Sequence, residues 1–183
     1  MATGATIHRF EIELADSDRG VYESLDLRVA RHPSESTPFL LTRVLAYCLE
    51  YREGIAFSKG GISSVDEPAI SVFDLTGARV AWIEVGAPSA DRLHRASKAT
   101  ERVALYTDRR PDLLRAGLAG ERIHRSGALQ VTLFSRAFLA NLEKLLERNA
   151  RWHVSVNDAH LFVTAGAQSF DTALHREPLF DGD

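Results

Sequence analysis

Among the charged residues between 65 and 102, Asp66, Glu67 and Glu84 are followed by Arg92, Arg95, Lys98 and Arg102, an order that suggests phosphodiester chemistry. Asp66 and Glu67 stand just before Pro68, and Glu84 stands within Val80-Ala81-Trp82-Ile83-Glu84-Val85. That run is apolar at both parities, so both of its faces should be covered. A carboxylate inside it needs a cation or hydrogen-bond donors. Mg²⁺ or Mn²⁺ takes oxygen ligands of this kind, with water completing an octahedron. Arg92, Arg95, Lys98 and Arg102 follow at intervals of three, three and four, which lines one helical face. Such a face suits the phosphate backbone of a nucleic acid. In this reading Asp66 or Glu67 joins Glu84 as a metal ligand, and a metal-bound water is the nucleophile. Arg95 or Lys98 stabilises developing charge, while Arg92 and Arg102 hold the backbone. The competing reading leaves Asp66 and Glu67 as solvated loop residues, pairs Glu84 with an arginine and makes the basic stripe a solvated surface.

Two strands and a helix must position these groups. The pattern predicts strands over 70–74 and 79–85, joined by Leu75-Thr76-Gly77-Ala78. Pairing Asp74 with Arg79 brings Glu84 opposite Ala69 and puts Glu67 on the face of Glu84. A slip of one residue substitutes Asp66. Ser89 is the expected cap of a helix from about 90 to 99, and Val103-Ala104-Leu105-Tyr106 returns as a buried strand. A strand, a helix and a second strand in that order imply a parallel crossover.

The flanks read as mixed α and β structure. Phe10, Ile12 and Leu14 alternate with Arg9, Glu11 and Glu13, and Leu25, Leu27 and Val29 alternate likewise, which predicts an opening hairpin. Ser34 is the expected cap of a helix running to about 51, with Leu41, Val44, Leu45 and Cys48 on its apolar side and Glu35 in its first turn. Gly60-Gly61 marks a loop. Further on, a short helix over 111–119, a strand over 129–134 and a helix capped by Ser135 are expected. In that last helix Phe138, Leu142, Leu145 and Leu146 form the stripe. Trp152, Val154 and Val156 open a closing hairpin, with His153 and His160 flanking its turn in places where they could face each other across it; two histidines alone are too few ligands for zinc. Residues after Leu174 read as a loose tail.

A chain of 183 residues with 22 Lys+Arg against 25 Asp+Glu, net −3, fits one domain and gives no global sign of nucleic-acid binding. Any such contact must be local. Cys48 is the single cysteine, so no intramolecular disulfide is possible, and no signal-peptide or membrane-span pattern is present. A cytoplasmic protein with no membrane association is the expectation.

Several separated motifs resemble one family in order. They are Arg31-His32-Pro33-Ser34-Glu35 before a Leu-rich helix, Asp66-Glu67-Pro68, Trp82-Ile83-Glu84-Val85-Gly86 with Pro88, and Val103-Ala104-Leu105-Tyr106. Over nearly the whole chain the sequence resembles the YaeQ family of bacterial proteins. The resemblance implies a variant of the PD-(D/E)XK nuclease fold, a restriction-endonuclease-like core with a mixed sheet, flanking helices and added hairpins. It also implies a single domain over 1–183 and a Mg²⁺- or Mn²⁺-dependent nuclease, or else a non-catalytic descendant that binds nucleic acid or protein. The Asp of the superfamily motif falls on Asp66 or Glu67, which lie 18 or 17 residues before Glu84. Glu84 takes the Asp/Glu position of the second motif. Gly86 stands where that motif places lysine, a departure that favours the non-catalytic form. Some members carry the lysine on the following helix; in the YaeQ family a basic residue typically occupies the place of Arg95, with Lys98 one turn beyond. Arginine does not serve as a base as lysine can. Glu35 matches an additional acidic residue found in some members.

Overall fold

The computed structural model describes residues 4–59, 64 and 66–180. In chain order the strands and helices are β1 (Thr6–Asp16), β2 (Val21–Arg31), α1 (Thr37–Leu49), β3 (Ile55–Phe57), β4 (Ile70–Phe73), β5 (Arg79–Val85), α2 (Ala90–Ala99), β6 (Arg102–Thr107), α3 (Pro111–Gly117), β7 (Gln130–Leu133), α4 (Arg136–Glu143), β8 (Asn149–Asn157), β9 (His160–Ala165), β10 (Gln168–Ala173) and β11 (His175–Pro178). They form two mixed sheets, ordered β10-β9-β8-β1-β2 and β11-β7-β6-β5-β4-β3. The expected Gly60-Gly61 loop lies outside the described residues.

Alternation builds the first sheet. Phe10, Ile12 and Leu14 of β1 are buried with Leu25, Leu27 and Val29 of β2, and the two strands pair antiparallel from Thr6↔Arg31 to Asp16↔Val21. On its other edge β1 runs parallel to β8, whose buried parity is Ala150, Trp152, Val154 and Val156. One parity goes to the core because successive strand side chains point to opposite faces.

Helix α1 shares a single core cluster with this sheet, with α4 and with one face of the second sheet. Every residue from Leu40 to Leu49 is buried, Arg43 included. The apolar stripe expected at Leu41, Val44, Leu45 and Cys48 is therefore only part of its buried surface, as befits a helix covered all round. The cap is Ser36, not Ser34: the Ser36 side chain accepts from the Phe39 N–H, and Pro38 occupies the first turn, where no N–H is needed. Glu35 lies before the helix rather than in its first turn.

The second sheet carries the crossover. β5, β6 and β7 are mutually parallel, and β4 and β3 add antiparallel. Ala81, Ile83 and Val85 of β5 belong to the core cluster containing α1. Trp82 joins Leu93 and Ala96 of α2, Leu114 of α3 and Leu105 of β6 in a second cluster on the opposite face. Covering both faces of β5 explains its apolar run at both parities.

Four expectations are corrected. The segment after Leu174 is not loose: β11 pairs antiparallel with β7, and Leu179 is fully buried, with its N–H on the Leu129 carbonyl. α4 ends at Glu143, so Leu145 and Leu146 pack beyond it. His153 and His160 do not face each other: Asn157 faces His160, and His153 faces Thr164. Arg102 is the first residue of β6, not part of the α2 face.

Candidate functional site

The β4–β5 hairpin sets the site. Its register is Ile70↔Ile83, Ser71↔Trp82 and Val72↔Ala81, which carries Ala69 towards Glu84 as expected. At the turn end the expected Asp74–Arg79 pair is replaced by Phe73↔Arg79, with an irregularity between Val72 and Phe73. Asp74 serves the turn instead, accepting from Thr76 and from the Ala78 N–H. The slip lies at the far end of β5, so it leaves the parity of Glu84 intact.

Glu84 is 3% exposed and shares its sheet face with Trp82, two residues earlier. The Trp82 indole N–H donates to Glu84 Oε1. Arg92, in the first turn of α2, donates to the same oxygen from Nε at 2.6 Å. Ser89 caps α2 by accepting from the Arg92 N–H, and this fixes where Arg92 leaves the helix. Beyond Glu84 the guanidinium reaches the Ser64 carbonyl at 3.0 Å and the Glu67 carbonyl. One arginine thus ties β5, α2 and the segment before β4 together. Burial pushes the Glu84 carboxyl above its usual range, while the Trp82 N–H and Arg92 hold it down.

The other two carboxylates point to different partners. Glu67 is half-buried and accepts from the Ser58 hydroxyl at 2.8 Å. Asp66 is exposed and meets Arg95 at 3.3 Å in solvent. Among the described residues no group of three or more His, Cys, Asp or Glu side chains is placed to hold a metal ion. These residues, as arranged, do not fit a divalent cation. The Glu84 oxygen nearest α2 already takes two donors, and the cation beside it is a guanidinium.

The remaining expected residues divide. Lys98 sits exposed in the last turn of α2, with no ion pair among the described residues, and Arg95 shares its exposed side. Arg102 lies on the opposite sheet face. Its Nη2 donates to both oxygens of buried Glu50 at 2.7 and 2.6 Å, and the Tyr106 hydroxyl adds a third hydrogen bond at 2.7 Å. Glu35 is buried in an ion pair with Arg43 at 2.9 Å and also accepts from the His32 N–H. That pair fixes the turn leading into α1.

Gly86 explains the missing lysine. Its φ is +89°, and a Cβ there would come within 3.0 Å of the Phe39 ring. Its N–H is bound to the Tyr106 carbonyl at 2.9 Å. A side chain at this position is disfavoured by backbone conformation and by the Phe39 contact together.

A cavity of about 400 Å³ opens beside Glu84, lined by Arg43, Arg92, Phe39, Ala69, Val85 and Ser89 among others. Sequence reasoning missed the Glu84–Arg92 pairing as the specific contact. It also missed Arg43 and Glu50 altogether. Two signals were available: Trp82 has the parity of Glu84, and Arg92 lies in the first helical turn after it.

Comparison with known proteins gives a consistent picture. The YaeQ family, described as YaeQ protein, matches residues 1–174. A Salmonella typhi protein described as "Uncharacterized protein YaeQ" is 27% identical over 179 residues, 95% of this chain and 96% of its own length. The protein of the same description from Escherichia coli K12 is 34% identical over 107 residues, 58% of this chain and 59% of its own length. The crystal structure of YaeQ protein from Pseudomonas syringae superposes with a TM-score of 0.82 at 32% identity, covering 97% of each chain. That from Xanthomonas axonopodis pv. citri gives 0.82 at 28% identity, over 93% of this chain and 96% of the other.

Proposed function

This chain belongs to the YaeQ family, and from that premise we propose that it is a restriction-endonuclease-like protein that binds nucleic-acid backbones without cutting them. A sheet with α1 on one face and α2 on the other, a hairpin delivering Glu84 and a parallel crossover through α2 all support that fold assignment.

The observation that carries the non-cleaving reading is the Arg92 guanidinium on Glu84. It supplies fixed positive charge where a nuclease of this fold would hold a metal. A guanidinium cannot activate water as a bound cation does. Arg95 and Lys98, exposed on α2, are the residues assigned to phosphate contact. Arg92 is committed to Glu84, and Arg102 to Glu50 on the other sheet face.

The rival is the Mg²⁺- or Mn²⁺-dependent nuclease using Asp66 or Glu67 with Glu84, and Arg95 or Lys98 for charge. One feature favours it: the Glu84 side chain and the Glu67 backbone converge on the same guanidinium. The rival requires the ion to displace Arg92.

Fluorescence anisotropy with single- and double-stranded DNA and RNA tests the proposal. Arg95→Ala/Lys98→Ala should weaken binding similarly across sequences and flatten the salt slope on duplex DNA by about 0.9 per lost contact. Absence of salt-dependent binding refutes the module. Manganese-dependent cleavage that Glu84→Ala abolishes refutes the non-cleaving reading and establishes the rival.

A further inference from the structure

The carboxyl-terminal ends of β5 and β6 enclose a second cavity of about 400 Å³, on the other side of Phe39 and Val85 from the Glu84 cavity. Ligands commonly bind at this end of parallel strands. Here the wall combines three chemistries.

The first is cationic. Arg109 and Arg136 both line the cavity. The Arg109 backbone N–H donates to the Thr107 hydroxyl, which fixes the turn after β6. Its guanidinium has no hydrogen bond or ion pair among the described residues. Among the described residues Arg136, in the first turn of α4, has Asp108 as its one ion-pair partner, at 3.6 Å. Both arginines, with Asp108, also line a neighbouring cavity of about 570 Å³, so they stand at the boundary of the two spaces, where two guanidinium groups suit a phosphate.

The second is a set of hydroxyl and carboxyl groups. Thr42 is 2% exposed and lines the cavity, yet its hydroxyl has no hydrogen-bond partner among the described residues. Thr42 Oγ1 is not among the buried side-chain atoms left without a partner, so it is open to solvent and can be met by a polar ligand. Ser36, the α1 cap, borders the same space, so the positive end of α1 lies there. Asp108 also lines it. A carboxylate repels phosphate but accepts from a sugar hydroxyl, so it suits a ligand bearing both groups.

The third is apolar. Phe39, Pro38 and Val85 also line the cavity. Gly86 permits the Phe39 ring to lie against the chain there. An aromatic wall suits a planar ring.

We propose that this cavity binds a nucleoside monophosphate. The phosphate lies between Arg109 and Arg136 and the base against Phe39, while Asp108 accepts from the ribose. The volume is within the range of small-ligand pockets. This assignment does not depend on nucleic-acid binding by α2 or on the role of Glu84.

Isothermal titration of the full chain with adenosine 5′-monophosphate, adenosine and inorganic phosphate tests it. The nucleotide should saturate the protein, with adenosine and phosphate each roughly tenfold weaker or more, because each lacks part of the recognised set. Arg109→Ala should weaken the nucleotide roughly tenfold and Thr42→Val by a few-fold, as expected for a lost charged and a lost neutral hydrogen bond. Arg109 is exposed, so its replacement tests binding without disturbing the core. Arg151→Ala, on β8 and outside the lining of this cavity, should leave the titration unchanged. No saturation up to about 5 mM nucleotide, a concentration that corresponds to negligible affinity, overturns the proposal. So does equal binding by wild type and Arg109→Ala, or an equal loss in Arg151→Ala.

Discussion

Replacing Arg92 with alanine leaves the Glu84 carboxylate buried beside one tryptophan N–H and without its nearest cation. Removing one partner of a buried ion pair costs about 3–5 kcal/mol. The Arg92 side chain is 20% exposed, so water reaches part of the gap. We therefore expect the low end, about 3 kcal/mol. For a chain of this length that corresponds to a melting-temperature drop of about 6–12 °C. The effect should depend on pH with a definite sign. Burial already raises the Glu84 carboxyl above its ordinary value of 4.5, and Arg92 opposes the rise. Without Arg92 the folded-state value climbs further. A carboxyl whose folded pKa exceeds its unfolded value contributes stability below the unfolded pKa, which is lost as pH rises through the folded one. The gap between wild type and Arg92→Ala should thus be smallest near pH 4.5 and widen towards neutrality. Arg92 also holds the Ser64 and Glu67 carbonyls, and Arg92→Ala/Glu84→Gln separates that contribution by removing the charge. Urea unfolding of the three proteins across this pH range is the assay. A loss below about 0.5 kcal/mol, the size of an ordinary surface substitution, refutes the reasoning. A loss independent of pH refutes its electrostatic part.

Trp82→Phe keeps the ring and deletes the donor to Glu84; it should cost about 1.5–3 kcal/mol in urea unfolding, the range for hydrogen bonds to charged groups. Gly86→Ala should cost about 1–3 kcal/mol through its left-handed backbone alone, with the Phe39 contact adding to it; an unchanged unfolding midpoint contradicts the geometry. Burial pushes the Cys48 thiol up to about 12. It should therefore resist a thiol reagent in the folded protein at pH 8 and react fully in urea. Burial beside Glu50 raises the Tyr106 phenol well above its usual range, so an alkaline absorbance titration should show Tyr106 ionising only as the protein unfolds.

The sequence was most informative where a local period decides the outcome. Alternation in β1, β2 and β8 follows from strand geometry, so the hairpins and buried parities could be read directly. Ser89 and Ser135 cap their helices because a cap needs only three or four neighbouring residues. The double-sided apolar run of β5 announced a covered strand and made Glu84 conspicuous. The register near Glu84 is the one expected from pairing Asp74 with Arg79, although that pair itself gives way to Phe73↔Arg79.

Contacts between distant residues were not legible in this way. β11 has little apolar character of its own, and it forms because β7 offers an unpaired edge and Leu179 a buried anchor. Ser34 and Ser36 are equally good caps locally; the choice falls to Ser36, with Glu35 buried on Arg43 eight residues away. Arg102 continues the basic spacing on paper, but the chain leaves α2 before reaching it and carries it to Glu50. Glu84 shows the same division. The sequence by itself indicated that a covered carboxylate needed a cation or hydrogen-bond donors and that no lysine stood two residues on. Only the tertiary structure decided that the counter-charge is Arg92 and that the left-handed backbone at Gly86, packed on Phe39, disfavours a side chain. A charge's need for compensation is local chemistry; the identity of its partner depends on which elements the fold brings together.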